Sequence, residues 1–254
     1  MRKLFWGVAT LLVTAPLAAQ DYQFSRDLRP GDEIELENIN GSVEVRPTNG
    51  RTARVEVTKI VRSGDGNLVR VLVENEGSTM RVCTVYLNRD RNRNTCKGPN
   101  SLNRGERLDV TTDYVVLVPS GVEVDANTVN GSIVLRGIDT PSSASTVNGD
   151  IEFEAVGAHQ LETVNGNIRA TLARADWTGE LEMQTVNGSI DLTLPESFAA
   201  QLRGETVNGQ IESDFPVTIQ GRWGPKSFHG SINGGGNRTL ELDTVNGSIR
   251  IRKR

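Results

Sequence analysis

The tetrapeptide Thr-Val-Asn-Gly is the feature of this chain that most restricts its fold. It occurs six times in 254 residues, while the stretches between the copies differ almost completely. A fixed motif at short, similar intervals is typical of repeat architectures. The copies occupy residues 128–131, 146–149, 163–166, 185–188, 206–209 and 244–247.

A seventh, degenerate copy reads Ser-Phe-His-Gly-Ser-Ile at residues 227–232. With it included, the Asn-equivalent positions are 17–22 residues apart. Polar and apolar residues alternate on both sides of the motif, which predicts a strand, a corner and a second strand in each copy. Two positions after the Gly, every copy has Ile: Ile133, Ile151, Ile168, Ile190, Ile211, Ile232 and Ile249.

Two all-β architectures fit this pattern. Asn-Gly between alternating runs is a strong hairpin signal, so seven hairpins could form an antiparallel meander. In a parallel β-solenoid, or β-helix, successive corners lie about 4.8 Å apart, so identical side chains can stack and their amides can bond to one another. The repeated Thr and Ile favour the solenoid, with about seven coils of 17–22 residues. Asn187 and Asn208 should then be neighbours in a ladder formed by Asn130, Asn148, Asn165, Asn187, Asn208 and Asn246.

The Val of the motif leaves two possibilities open. Strict alternation places it on the outside, where six Val and Phe228 would form an apolar stripe that needs a partner. Corners interrupt alternation, however, and long apolar stripes are uncommon on monomers. We therefore expect the Val side chains to be buried at the corner.

The first 19 residues have the pattern of a secretory signal peptide: a basic start, an apolar run from Leu4 to Val13 and a small-residue exit. Cleavage is expected after Ala19, and a buried N-terminal helix is the alternative. No later run is long and apolar enough for a transmembrane helix in the mature chain. The protein is therefore expected in the periplasm or secreted.

An earlier copy of the motif at residues 36–45 has Asn40-Gly41 at its corner and Val43 in place of Ile. Several strand-like runs separate it from the main array. We interpret residues 20–125 as a β-rich region that starts and caps the stack, and residues 126–254 as the repeat solenoid. Capping is expected because end coils expose unpaired strand edges.

The chain has two cysteines, Cys83 and Cys96. Export makes a disulfide the default, with two buried thiols as the alternative. The bond would close a loop of 14 residues, counted inclusively, which is worth about 3 kcal/mol in the loop-entropy model. Two cysteines without a nearby His make a zinc site improbable, and no metal or other cofactor is expected.

Charge is distributed unevenly along the chain. The formal net charge is −4, and it becomes −6 without Arg2 and Lys3 of the leader. Residues 81–107 carry a net +5, so the rest of the mature chain carries −11. This basic window is either a solvated loop or a binding site for an anionic surface glycan or lipid head group. The expected export and the overall negative charge argue against nucleic acid as a binding partner. The candidate anion-binding residues are Arg89, Arg91, Arg93 and Lys97.

Catalytic patterns are missing from the sequence. His159 falls in an inward column and should be packed, and His229, at a corner, has no obvious partner. Glu152, Arg169 and Asp191 should lie on adjacent coils, where opposite charges suggest surface ion pairs instead of an acid pair for glycoside cleavage. We expect no catalytic residue and no enzyme activity. Trp177 is a candidate for stacking on sugars.

These pieces together resemble one known family. An early NGSV copy, a Cys pair in the first half, a VPSGVEV step and TVNGxI repeats to the C-terminus look like the bacterial "putative adhesin" β-strand-repeat family, a domain of unknown function. The resemblance covers roughly residues 30–252. It implies a β-helical fold and an extracytoplasmic location, and it brings no catalytic motif.

The leading functional hypothesis is a non-catalytic exported envelope protein, either a scaffold or an adhesin-like binding module. Its partner would be an anionic envelope glycan, a lipid head group or another envelope protein. A polysaccharide-acting β-helix enzyme is the first alternative. A periplasmic envelope-stress accessory that binds another protein through the solenoid face is the second.

Overall fold

A computed structural model describes residues 18–87, 95–96, 108–173, 179–221 and 224–254. The chain is all-β, as expected from the alternation. Within the described ranges, the helical structure is one 3-10 turn at Gly66–Leu68. No helix in this part of the chain is long and apolar enough to cross a membrane.

The strands of the described residues fall into an irregular N-terminal group and a repetitive C-terminal group. The first eight are β1 (Ala18–Asp27), β2 (Glu33–Glu37), β3 (Val43–Pro47), β4 (Thr52–Ser63), β5 (Val69–Glu76), β6 (Thr79–Tyr86), β7 (Asp109–Val118) and β8 (Glu123–Asn127). The others are β9 (Ile133–Asn148), β10 (Ile151–Asn165), β11 (Ile168–Leu172), β12 (Gly179–Asn187), β13 (Ile190–Leu194), β14 (Ala200–Asn208), β15 (Ile211–Ser213), β16 (Thr218–Gln220), β17 (Lys226–Ile232), β18 (Arg238–Asn246) and β19 (Ile249–Lys253).

The pairing arranges these strands in two layers that meet at the Asn-Gly corners. Sheet 1 contains the strands that precede a corner together with β5, β6, β16 and β17, in the order β5, β6, β2, β8, β9, β10, β12, β18, β14, β17, β16. Sheet 2 contains the strands that follow a corner together with β1, β4 and β7, in the order β1, β4, β7, β3, β9, β10, β11, β13, β19, β15. The long strands β9 and β10 contribute to both sheets, because each runs through one full coil.

Inward side chains of the two sheets form one hydrophobic core that extends from Leu28 to Ile251. The stacking is parallel and in register, so each Ile packs on the equivalent residue of the next coil. Burial of apolar side chains is the main favourable term for such a core. The middle of the molecule is therefore β-solenoid-like. Both ends use antiparallel pairs: β4 with β1 and β7, and β14 with β17.

The order of the last coils differs from the order along the sequence. β18 lies between β12 and β14 in sheet 1, and β19 lies between β13 and β15 in sheet 2. The C-terminal coil is thus inserted between two coils that precede it in the chain. The expected adjacency of Asn187 and Asn208 is therefore wrong, since Asn246 separates them.

The degenerate copy does not form a corner. Residues 227–232 lie within β17, which runs antiparallel to β14 and places Ile232 opposite Ala200. Ile232 is therefore not part of the Ile column, contrary to the prediction. The physical reason is edge protection: β17 covers the side of β14 that would otherwise be an unpaired edge.

Candidate functional site

The Asn-Gly corners form a continuous hydrogen-bonded line along one edge of the molecule. Each Asn Nδ2 donates to the Asn Oδ1 of the neighbouring coil at 2.7–2.8 Å. The line begins at Asn40, whose Nδ2 donates to the Tyr86 hydroxyl at 2.7 Å. In stacking order its members are Asn40, Asn130, Asn148, Asn165, Asn187, Asn246 and Asn208. We call this line the Asn ladder.

Two members of this arrangement were missed by the sequence analysis. Asn40 was recognised as a corner but not as part of the ladder. Tyr86, which ends the ladder, precedes the basic loop and carries no repeat signal. Burial raises the pKa of its hydroxyl, while the hydrogen bond from Asn40 opposes that rise. The neutral hydroxyl can therefore accept from Asn40 at physiological pH.

The Thr and Gly of each motif connect successive coils inside the corner. Each Thr hydroxyl donates to the Gly carbonyl of the neighbouring coil at 2.8–3.2 Å. A Cβ on Gly166 would lie 1.9 Å from the Gly149 carbonyl oxygen, and the other stacked corners are similarly tight. Gly is thus needed at these corners because the backbones approach closely.

The Val side chains of the motif point outward, so the expectation of burial is wrong. Val129, Val147, Val186 and Val245 are 38–40% exposed, and Val164 and Val207 are partly exposed. The alternation of inward and outward side chains continues through the corner, with Thr facing the core and Val facing solvent. Phe228 is buried and does not belong to this surface. We call the line of Val129, Val147, Val164, Val186, Val245 and Val207, in stacking order, the Val ridge.

A polar row on sheet 1 borders the Val ridge. The register places Glu162, Gln184, Asp243 and Glu205 side by side on successive strands. Together with Val186, Val207 and Val245, they line a groove with a volume of about 260 Å³. Burial, and then the charges of Glu241, Glu205 and Glu182, raise the pKa of Asp243 to about 6, although a hydrogen bond from the Glu205 amide opposes this. The groove has an apolar side and an acidic side.

The outer face of sheet 2 carries the charges considered for catalysis. Glu152, Arg169 and Asp191 occupy one row, as expected. Arg136 pairs with Glu152 at 2.9 Å and Arg250 pairs with Asp191 at 3.4 Å. Acids and bases alternate, so the row is a set of surface ion pairs. Within the described part of the chain, no group of three or more His, Cys, Asp or Glu could hold a metal ion.

The histidines lie elsewhere than predicted. His159 is exposed. The strand register shifts between Ala158 and Leu161, so that Ala158 faces the core and His159 faces solvent. His229 is exposed in β17, opposite Arg203 and Thr218, and is not at a corner.

The disulfide prediction is confirmed. Cys83 and Cys96 are bonded, with Cα atoms 5.7 Å apart, and they pack with Leu68, Val85 and Leu87 in a cluster separate from the main core. The candidate anion-binding residues Arg89, Arg91, Arg93 and Lys97 lie outside the described residues, as does Trp177. Their proposed roles remain predictions.

Comparison with known proteins gives a family and several distant structures. A "putative cell adhesion protein" from Clostridium sporogenes ATCC 15579 is 11% identical, with 92% of this chain and 100% of that chain covered and a TM-score of 0.48. A "putative adhesin" from Bacteroides fragilis NCTC 9343 is 9% identical, with 91% of this chain and 97% of that chain covered and a TM-score of 0.31. A "putative lipid binding protein" from Parabacteroides distasonis ATCC 8503 is 14% identical, with 92% of this chain and 96% of that chain covered and a TM-score of 0.29.

All three TM-scores are below 0.5, so these structures carry no argument about function. Among curated proteins, none matches this chain. The Toastrack DUF4097 family model matches residues 32–252, which include the ladder, the ridge and the disulfide. The chain therefore belongs to the Toastrack DUF4097 family.

Proposed function

We propose that this protein is an exported, non-catalytic envelope protein that acts as an adhesin-like binding module or scaffold. Its contact surface is the Val ridge with the adjoining acidic row. The observation that supports this proposal is the outward exposure of the motif Val, at 38–40% in four coils. Aligned exposed apolar side chains commonly mark interaction sites.

The corner is well suited to binding because it is rigid before a partner arrives. The Asn ladder and the Thr hydroxyl bonds fix the backbone on both sides of each Val. Little conformational entropy is therefore lost when the ridge is covered, and preorganisation of this kind raises affinity.

The chemistry of the groove favours one kind of partner. Val186 and Val245 form its apolar side, and Glu162, Asp243 and Glu205 lie on its other side. An extended segment with alternating apolar and basic side chains would match both sides. We therefore propose that the partner is another envelope protein, which includes the envelope-stress accessory role considered above.

Export is supported by the disulfide, which persists in oxidising compartments. We retain the cleaved leader at residues 1–19, the β-rich cap at 20–125 and the solenoid at 126–254 as proposals. The expected count of about seven coils becomes six, because the copy at residues 227–232 lies within β17. A periplasmic or secreted location follows from the same leader.

The basic loop supports a second contact. A net +5 in residues 81–107 on an acidic protein favours an anionic glycan or lipid head group near Arg89, Arg91, Arg93 and Lys97. The enzyme alternative has weaker support, because the carboxylates of the Glu152 row are engaged by arginines.

Binding of the mature protein to isolated cell envelopes tests the ridge. Changing Val147, Val186 and Val245 together to Ser should weaken binding at least about tenfold, since each loses apolar contact area. Stability should change little, because the three sites are exposed. The matched control is Ile219→Ser, which alters an apolar side chain that is 45% exposed but lies in β16, away from the ridge.

A parallel variant separates the two contacts. Changing Arg89, Arg91 and Arg93 to Ser should remove only the part of envelope binding that falls with added salt. Envelope binding by the Val variant that equals that of the parent would reject the ridge as the contact surface. Equal low-salt binding by the Arg variant would reject the loop.

A further inference from the structure

A pocket near the N-terminal end of the stack contains a lysine in a core position. The pocket has a volume of about 290 Å³ and is lined by Tyr22, Lys59, Asn67, Val69, Arg70 and Val71. Lys59 lies in β4, where the alternate residues Val55 and Val57 face the core. The sequence pattern would place an apolar residue at this position.

Lys59 is almost completely buried, with 4% of its surface exposed. Its Nζ donates to the Gly66 and Val69 carbonyls at 3.2 and 3.3 Å and lies 5.6 Å from the Tyr22 ring centroid. None of the ion pairs found among the described residues involves Lys59. Burial of an ammonium without a carboxylate is unfavourable, so an anion in this pocket would be stabilised by Lys59.

The remaining lining is positive or neutral. Arg70 is exposed at the rim, beside Asn67. Two acids lie next to lining residues in the sequence and have hydrogen-bond donors of their own. Asp21, beside Tyr22, accepts from the Thr58 hydroxyl at 3.0 Å, and Asp65 Oδ1 accepts from the Asn67 main-chain N at 3.0 Å and from its Nδ2 at 2.9 Å. The lining therefore has two cations and no carboxylate, on a protein with a formal net charge of −4.

The walls beside Lys59 are apolar. Val71 is buried against the main core, and the partly buried Tyr22 packs on that core and stacks on Phe24 with ring centroids 6.4 Å apart. Specific small-molecule sites combine apolar walls with a few placed polar groups. We propose that this pocket binds a small anionic amphiphile, with its carboxylate on Lys59 and its hydrocarbon chain against Tyr22 and Val71.

Octanoate is a suitable probe, measured by titration calorimetry on the full mature protein below the micelle concentration. One site should be seen, and Lys59→Met should weaken octanoate binding at least about tenfold. The matched control is Lys253→Met, because Lys253 also lies over an aromatic ring, 5.2 Å from the Phe215 centroid, but is exposed at the other end of the molecule. This control should bind octanoate as the parent does.

Two further probes separate the contributions of charge and chain. Octylammonium should not bind, because it repels Lys59 and Arg70. Acetate should bind much more weakly than octanoate, because it lacks the chain that covers Tyr22. Equal binding of acetate and octanoate would overturn the amphiphile assignment, and so would binding of octylammonium or unchanged octanoate binding by the Lys59→Met variant.

A rim variant keeps the test decisive if the Lys59→Met variant does not fold. Arg70→Glu reverses an exposed charge at the pocket and should reduce octanoate affinity several-fold. Arg54→Glu makes the same change at an exposed position of β4 outside the pocket and should have no effect. Equal octanoate affinity in these two variants would reject the site.

Discussion

Each residue of the repeated motif has a separate physical role. Thr is buried and ties one coil to the next through a Gly carbonyl. Gly allows the two backbones to approach, and Asn continues the ladder. Val alone is apolar and exposed, so core packing does not account for its repetition. Contact with a partner would account for it.

The directionality of the ladder gives a prediction at Asn187. Its Nδ2 donates to Asn165 Oδ1, and its Oδ1 accepts from Asn246, both at 2.8 Å. Asn187→Asp removes the donor and places a carboxylate against Asn165 Oδ1. We expect a loss of about 1–2 kcal/mol at neutral pH, measured by denaturant unfolding.

Asn49→Asp is the matched control, because Asn49 also precedes a Gly but lies in the turn between β3 and β4, outside the ladder. Asp is well tolerated before Gly in tight turns, so this control should lose little stability. If the Asn187 and Asn49 variants are equally stable, the ladder does not contribute to stability.

At the scale of the strand, β18 brings acids together on the outer face of sheet 1. Glu241 and Asp243 alternate with buried Leu240 and Leu242. Arg203 compensates Glu241 and lowers its pKa. Among the described residues, no ion pair involves Asp243, and its burial, followed by the charges of neighbouring acids, raises its pKa to about 6.

The raised pKa of Asp243 makes stability depend on pH. In the unfolded chain this carboxyl ionises near its ordinary value of 3.8, whereas in the folded protein it does so near 6. The folded state therefore binds the proton more tightly, and stability from this group decreases as pH rises from about 4 to 7. Asp243→Asn should have a higher melting temperature than the parent at pH 7 and a similar one near pH 4.

Glu154→Gln, an exposed carboxyl on sheet 2, serves as the control for this measurement. It measures the effect of removing an exposed carboxyl, and the change with pH should be larger for Asp243→Asn than for this variant. An equal change with pH for the two variants would show that the pKa of Asp243 is not raised.

The sequence predicted the elements better than their connections. Alternation around Asn-Gly identified inward columns such as Ile151 and Ile168, because a two-residue period is a local property. Alternation could not predict the register shift that exposes His159 or the burial of Lys59 in β4. Both depend on the strands that pack against these residues in the folded protein. The position of Asn246 between Asn187 and Asn208 was also inaccessible, since all copies carry the same motif.

At the scale of the whole molecule, the C-terminal coil holds two other coils together. β18 pairs with both β12 and β14, and β19 pairs with both β13 and β15. In an ordinary solenoid, each repeat contacts only its sequence neighbours, so loss of the last coil removes only one interface. Here its loss removes two interfaces and leaves a gap inside the stack.

Deletion of residues 238–254 should therefore expose the segment 195–232 to proteases, while the coils before residue 194 stay protected. A synthetic peptide of residues 237–254 should restore protection when added to the truncated protein, because it supplies both missing strands. Limited proteolysis with mass spectrometry measures this. Protection of residues 195–232 in the truncated chain without the peptide would contradict it.

The inserted coil also determines when this part of the protein can finish folding during synthesis. β18 and β19 leave the ribosome after β12–β15, and cross a membrane after them if the chain is exported as proposed, yet they are needed in the interior of the stack. β14 and β15 emerge earlier but have no parallel partner until β18 and β19 arrive. A chain arrested before β18 would therefore present open strand edges in the middle of its sheets. Such edges are templates for aggregation, so the arrival of β18 and β19 protects the earlier coils.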